Sequence, residues 1–238
     1  MSKYMAYKKS LPHTYTLGAF PTIEALETLP EKVQHVYIHP DYYQQQALIE
    51  RLDALNITYD VSGRSIRRLA AKQNTLVVGV LDKFLPEVHE AHHIVLENIA
   101  NMGNLGTIIR TMVGLGLNDL VTVGNVCDIY HPKVIRASMG AIFKIRLSHY
   151  DSMAAYHRHF AKDRQKYFFL LNEQAVTLND AKQTLAAKYF SLIFGNEGAG
   201  LAADYTDLGT AVFIPQTAAV DSLNLPISVA IGLYTFLN

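Results

Sequence analysis

Glu197 sits in the stretch GNEGAGL (195–201), among Gly195, Gly198 and Gly200 and directly after the apolar run YFSLIF. Glycine clusters behind apolar runs commonly cradle phosphate, but a P-loop needs GxxxxGK[ST] with a lysine, and this loop has none. A dinucleotide fingerprint needs GxGxxG, and the order here is GxxGxG. A carboxylate would moreover repel a phosphate. Glycines that permit positive φ and close backbone approach, with one acid among them, suit a neutral or cationic ligand. The other reading is a tight turn carrying a solvated glutamate. A second group lies in NMGNLGTIIR (101–110), where asparagines and glycines suited to a turn and a helix N-cap precede an apolar helix. Arg110 falls on its second turn. An arginine there either reaches solvent or faces a ligand at the carboxyl edge of a sheet, where open α/β folds bind ligands. A third group is IPQTAAVDSLNLP (214–226). Ser222 resembles an N-cap, Asn224 follows it, and Pro226 is tolerable in a first helical turn, which has no use for its missing donor.

The elements that must position these groups alternate. Strands are expected at 35–39, 56–61, 75–81, 93–98, 119–124, 141–147, 166–171, 189–195 and 211–215. Helices are expected at 19–29, 41–55, 64–72, 104–116, 132–140, 151–164 and 222–237. Such alternation predicts an α/β fold with a mainly parallel sheet. The polar stretch DKFLPEVHEAHH (82–93) holds three of the ten histidines. It reads as a solvated linker rather than a metal site, because no cysteine and no convincing carboxylate ligand set accompanies the histidines. The expected division is a small α/β domain over 1–85, a linker over 86–92 and a larger domain over 93–238.

Composition narrows the class. Half of the 238 residues are hydrophobic and 18% are charged, which fits a chain with a large core. No apolar stretch approaches the ~20 residues of a membrane span, and the first residues hold no signal-peptide core. Cys127 is the single cysteine, so neither an internal disulfide nor a multi-cysteine zinc site can form. A cytoplasmic setting, with no metal, is expected. The net charge is zero, which argues against a bulk polyanion binder but leaves room for local basic patches. Residues 91–150 carry five basic against three acidic side chains, with Lys133, Arg136, Lys144 and Arg146 close together. Arg64, Arg67, Arg68 and Lys72 form a second cluster at helical spacing.

The three groups, in this order and at this spacing across 96–238, resemble the three motifs of the SpoU (TrmH-type) RNA ribose methyltransferases of the SPOUT class. Asn104, Gly106 and Arg110 match the first motif. Gly195, Glu197, Gly198 and Gly200 match the second, and Ile214, Pro215, Ser222, Leu223 and Asn224 the third. The resemblance implies a C-terminal deep trefoil knot, S-adenosylmethionine as cofactor and a homodimer formed through the knotted domain. It also implies transfer of a methyl group to a ribose 2′-hydroxyl of RNA. The N-terminal block, with GAFPTIEAL (18–26), is similar to the small substrate-binding domain often attached to this family, which favours rRNA over tRNA.

On this reading Arg110 activates or clamps the reacting group, Glu197 orients Arg110 or the first-motif loop, and Asn104, Ser222 and Asn224 position the ribose. Gly195, Asn196, Gly198, Gly200, Ile214, Pro215 and Leu223 hold the cofactor. Lys133, Arg136, Arg64, Arg67 and Arg68 contact RNA. Departures from the family pattern are Asn101-Met102 in place of Asp-Pro, Gln216 in place of methionine, Ala218 in place of glycine, and Pro226 where serine is common. The rival functions are a non-catalytic RNA-binding protein on the same fold and a nucleotide-dependent oxidoreductase. The latter would need the dinucleotide fingerprint that the chain lacks.

Overall fold

The computed structural model describes residues 4–70, 74–170, 173–217 and 219–238, apart from the side chains of residues 203 and 204. Lys72 and Ala218 lie outside the described residues. The chain divides into two compact units. The smaller comprises residues up to Leu85 together with Asp128–Lys144. The larger comprises Pro86–Cys127 and Ile145–Asn238.

The small unit is built on a four-stranded sheet of order β1 (His13–Leu17), β4 (Val77–Asp82), β2 (Val33–Ile38), β3 (Tyr59–Val61). The β2–β3 pair is parallel and the other pairs antiparallel. Successive side chains of a strand point to opposite faces, and both faces here are covered. Val77 and Leu81 join one apolar cluster with Val36, Leu26 and Leu52. Val78 and Val80 join another with Tyr15, Tyr37 and Ile66. Helices α1 (Ala19–Thr28), α2 (Gln45–Ala54) and α3 (Gly63–Leu69) follow the first three strands.

Segment 128–144 also belongs to this unit, whereas the sequence reading put it in the larger block. It contains α5 (Pro132–Ala137) and a 3-10 turn over Ala141–Lys144. Its buried Val134, Ile135 and Ile142 supply the reason, since these side chains need an apolar partner. Ile135 and Ile142 find one beside Leu29 and Leu81. Thr14 donates a hydrogen bond to the Tyr130 carbonyl, Tyr7 donates to Asp128, and Lys144 pairs with Glu24 at 2.9 Å.

The large unit holds a seven-stranded sheet of order β7 (Arg146–Tyr150), β6 (Asp119–Val123), β5 (His93–Glu97), β10 (Tyr189–Phe194), β8 (Arg164–Phe169), β11 (Thr210–Phe213), β9 (Val176–Thr177). Every pairing is parallel. β5 and β6 are buried along their whole length, the near-continuous apolar run of a sheet covered on both faces. Helices α4 (Met102–Gly114), α6 (Met153–His159), α7 (Leu178–Gln183) and α8 (Leu225–Leu237) complete the unit. The chain runs outward from β5 through β6 to β7, then returns to lay β8 and β10 on the other side of β5. The β5–β10 boundary is therefore a topological switch point, and the carboxyl ends there are where such sheets bind ligands.

Several expectations shift. The expected strand 141–147 is a 3-10 turn, and β7 starts only at Arg146. β1, β9 and α7 were not expected. β1 reads HTYTL, and its threonines hide the strand because they serve a polar network: Thr16 Oγ1 accepts from Gly79 N–H at 2.8 Å and lies 2.7 Å from Thr22 Oγ1. The last helix begins at Leu225, with Asn224 rather than Ser222 at its N-cap position. His93 is fully buried, and His92 is half-buried, stacking on Phe190 at 4.0 Å between ring centroids. Among the described residues no helix is long and apolar enough to cross a membrane.

Candidate active site

A cavity of about 580 Å³ opens at the carboxyl edge of the large sheet. Its floor includes Phe169 and Phe194, stacked at 4.0 Å between centroids. Gly232 on α8 lets the helix close on this pair, because a Cβ there would lie 2.7 Å from Phe169 Cζ. One wall is loop 195–200 after β10. The other is formed by residues just after β11 and by those that lead into the first turn of α8. Ile214, Gln216, Ser222, Leu223 and Asn224 all line it, and Pro215 stands beside the wall rather than in it.

The glycine loop has a definite shape with identifiable causes. Gly195 must lack a side chain: a Cβ there would come within 2.3 Å of the Gly200 carbonyl, nearer than any real contact. Gly200 itself has φ +67°, in the left-handed region that glycine enters freely. Its N–H closes the loop on the Asn196 carbonyl at 2.9 Å. The Asn196 side chain fixes the rest. Its Oδ1 accepts from Gly198 N–H at 2.8 Å and Ala199 N–H at 3.1 Å, and its Nδ2 donates to the Asn98 carbonyl at 2.8 Å. Asn196 therefore lines the cavity while its polar atoms hold the loop in shape.

The first-motif loop is fixed from the other side. Asn101 caps α4, its Oδ1 accepting from Gly103 N–H at 2.8 Å and Asn104 N–H at 3.1 Å. A carboxylate would cap in the same way, so asparagine in place of aspartate at 101 leaves the cap intact. With Asn101 capping, the Asn104 side chain is released to reach across. Its Nδ2 donates to Glu197 Oε1 at 2.8 Å. This bond joins the first and second motifs, 93 residues apart in sequence.

Glu197 thus meets Asn104, and no bond to Arg110 occurs among the described residues. Arg110 is exposed and lies instead in a groove of about 730 Å³ between α4 and α8, beside Thr107, Ile231 and Tyr234. The helical period explains this. Asn104 and Arg110 are six residues apart, which rotates their side chains well away from one another. Ser222 and Asn224 are exposed, and the Asn224 side chain makes no capping bond. The Asn224 carbonyl starts α8 by accepting from Ile227 N–H and Ser228 N–H. Pro226, in the first turn, removes a donor that has no intrahelical acceptor. Gln216 Nε2 donates to the Asp221 carbonyl at 3.2 Å, bracing the third-motif segment.

Of the basic candidates, Arg64, Arg67 and Arg68 on α3 and Lys133 and Arg136 on α5 are all exposed and all fall in the small unit. Lys144 and Arg146 are engaged elsewhere, with Glu24 and with Asp119. The sequence reading did not single out Asn98. It follows β5 with φ 55°, a conformation asparagine tolerates. Its Oδ1 accepts from Asn125 N–H at 2.8 Å while its carbonyl holds Asn196. An asparagine at a strand end was the available signal.

A parallel sheet covered on both faces, with a glycine-loop cavity at the carboxyl ends of β10, β8 and β11, is an α/β fold built to bind a ligand. Residues 91–234 match the SpoU rRNA Methylase family, and the chain belongs to that family. It is similar to an uncharacterized tRNA/rRNA methyltransferase of Synechocystis, 32% identical over 79% of this chain and 70% of that protein. It is also similar to a 23S rRNA (guanosine(2553)-2′-O)-methyltransferase of Bacillus subtilis, 28% identical over 59% of this chain and 56% of that protein. The structure of an AdoMet-bound rRNA methyltransferase from Sinorhizobium meliloti superposes with a TM-score of 0.78 at 23% identity, covering 94% of this chain and 87% of that one.

Proposed function

We propose that this chain is a homodimeric, S-adenosylmethionine-dependent methyltransferase acting on a ribose 2′-hydroxyl of RNA, with rRNA preferred to tRNA. The observation that carries the reading is the Asn104–Glu197 bond. It ties the first motif to the glycine loop of a cavity whose opposite wall is the third motif, so three separated sequence motifs meet at one site. The reading includes a trefoil knot in the C-terminal part of the large unit, and the cytoplasm as its location.

The donor set fits the cofactor. The cavity lining holds no lysine or arginine and one acid, over an apolar floor, which suits an adenosine joined to a sulfonium cation and would repel a nucleotide phosphate. When bound, S-adenosylmethionine supplies an electrophilic methyl group. Backbone groups at Gly195, Ile214 and Leu223 would hold its adenine and ribose, while Phe169, Phe194 and Leu225 keep water from that end. Ser222 and Asn224, exposed and at the cavity wall, orient the target ribose for in-line approach. Arg110 serves as a clamp for the adjoining phosphate and a stabiliser of the developing alkoxide, since a guanidinium with pKa above about 12 is a poor proton acceptor. Its place in the α4–α8 groove, with Ile231 and Tyr234 exposed beside it, supports a dimer in which a second copy covers that groove and RNA lies between the copies.

Titration calorimetry with S-adenosylmethionine and methyl transfer to rRNA test the proposal together. Arg110→Ala should keep cofactor affinity near wild type and lower turnover by about 100-fold, the usual loss when a charge-stabilising donor is removed. Near wild-type turnover would overturn the role of Arg110. Absence of cofactor binding in the parent chain would overturn the whole reading in favour of a non-catalytic RNA binder.

A further inference from the structure

One polar side chain of the cavity lining has no part in the function proposed above. Asn196 spends both ends of its carboxamide on the glycine loop and the Asn98 carbonyl. Glu197 receives Asn104. Ser228 Oγ donates within its own helical turn to the Asn224 carbonyl at 3.5 Å, and Ser222 and Asn224 are given to the ribose. Gln216 is left, and its carboxamide is only half used. Nε2 donates to the Asp221 carbonyl at 3.2 Å, while Oε1 has no partner among the described residues.

The Asp221 bond settles which way the amide is turned. A carbonyl can only accept, so the nitrogen must face Asp221 and the oxygen must face away from it. Turning the amide over would set two oxygens against each other. Gln216 therefore offers a fixed, neutral acceptor. Ile214 and Gln216 both line the cavity and Pro215 between them does not, which is the alternation of an extended chain.

Charge decides what that acceptor is for. The loop wall carries Glu197, whereas the wall of Ile214, Gln216, Ser222, Leu223 and Asn224 carries no charge. A cationic group of the ligand gains more from the carboxylate, and a ribose hydroxyl can donate or accept, so a lone acceptor does not select it. The neutral N–H donor of S-adenosylmethionine is the 6-amino group of its adenine. The flat apolar faces of that ring suit the floor of Phe169 and Phe194.

We propose that Gln216 determines specificity for adenine, its Oε1 accepting a hydrogen bond from the 6-amino group of the cofactor. The proposal rests on S-adenosylmethionine being the ligand, and it adds the side chain that distinguishes adenine from other bases. A carboxamide is a fitting reader of adenine, whereas a thioether is only a weak acceptor. Glutamine in place of the family's methionine thus adds a base-reading contact.

Titration calorimetry tests this with two ligands, S-adenosylhomocysteine and its analogue with purine in place of adenine, which lacks only the amino group. The parent chain should bind the adenine ligand about tenfold more tightly, the worth of about one net hydrogen bond. Gln216→Met should weaken the adenine ligand by about the same factor and leave the purine ligand nearly unchanged, so that the preference disappears. A preference of equal size in the variant would overturn the proposal and assign adenine reading to the backbone. Equal weakening of both ligands would overturn it as well, because Gln216 would then act only as a brace on Asp221. Thermal melts of both proteins show that each titration reads folded chain. A folded parent chain that binds neither ligand sinks the cofactor reading, and this proposal with it. One that binds both equally well sinks only the role of Gln216.

Discussion

The two ends of the large sheet solve opposite problems. At the amino edge, charged and polar groups are buried and bonded to one another. Arg164, whose side chain is wholly buried, donates to the carbonyls of Phe190 and Ala91 and to Ser191 Oγ. Ser191 lies 2.6 Å from Tyr156 Oη, which lies 3.0 Å from His93 Nδ1, and His93 Nε2 lies 2.8 Å from the His89 carbonyl. The carbonyl can only accept, so Nε2 carries the proton and Nδ1 accepts from Tyr156. Every donor then points the same way, from Arg164 to the His89 carbonyl. Beside it, Arg146 holds the buried Asp119 with two hydrogen bonds. At the carboxyl edge the order is reversed. The backbone is glycine-rich, hydrogen bonds shape loops, and Ser222 and Asn224 stand exposed at a cavity. Strongly polar residues mark the amino edge as a staple, whereas the weakly charged carboxyl edge holds the cavity. Buried charge and open space therefore lie at opposite edges of this sheet.

If that contrast is right, substitutions at the two edges should separate binding from stability. The largest effect is expected at the carboxyl edge. Gly195→Ala would force a Cβ to within 2.3 Å of Gly200, and S-adenosylmethionine binding should be lost in calorimetry because the loop cannot keep its path. Measurable binding close to wild type would break the account of the loop. At the amino edge Arg164→Ala leaves three acceptors without their donor. It should lower unfolding free energy by about 3–5 kcal/mol, since each buried acceptor left unsatisfied costs about 1–3 kcal/mol, while the folded fraction keeps its cofactor affinity. Loss of affinity greater than loss of stability would show that the edges are coupled.

The smallest effect is a pH dependence, and it too belongs to the amino edge. Burial, reinforced by the nearby Arg164, lowers the His93 pKa from 6.5 to about 4. Between those values the unfolded chain takes up a proton that the folded chain refuses. The stability His93 contributes is thus complete above pH 6.5 and is lost as pH falls toward 4, by up to about 3 kcal/mol. Urea unfolding at several pH values checks this, and His93→Gln should flatten the profile across that window. A profile equally steep in the variant would assign the dependence to other groups.

Much of the fold was legible because periodicity is local. The apolar runs of β5, β6 and β10 and the stripes of α1, α4 and α8 announce themselves within a few residues. β9 and α7 were missed because two and six residues give too short a pattern to register. β1 was missed because its threonines read as polar while bonding internally. Segment 128–144 was assigned to the wrong neighbour because its apolar residues show that they are buried but not against what. At the site, the three motifs were legible as residue types at fixed spacing, and Gly195 and Gly200 as backbone requirements. The partner of Glu197 was not. Asn101 and Asn104 are equivalent on paper, and which of them caps α4 decides which is free to cross to the glycine loop.

Sequence by itself determined the family, the alternation of strands and helices, and the absence of any phosphate-binding charge from the glycine loop. These follow from side-chain chemistry and short-range spacing, which the order of residues carries directly. Only the tertiary structure decided that Glu197 bonds Asn104, that Arg110 faces the α4–α8 groove, and that the exposed RNA-contact candidates Arg64, Arg67, Arg68, Lys133 and Arg136 all lie in the small unit. Those outcomes depend on helix rotation, cap choice and long-range packing, where differences of about 1 kcal/mol among near-equivalent local options are settled by the rest of the fold.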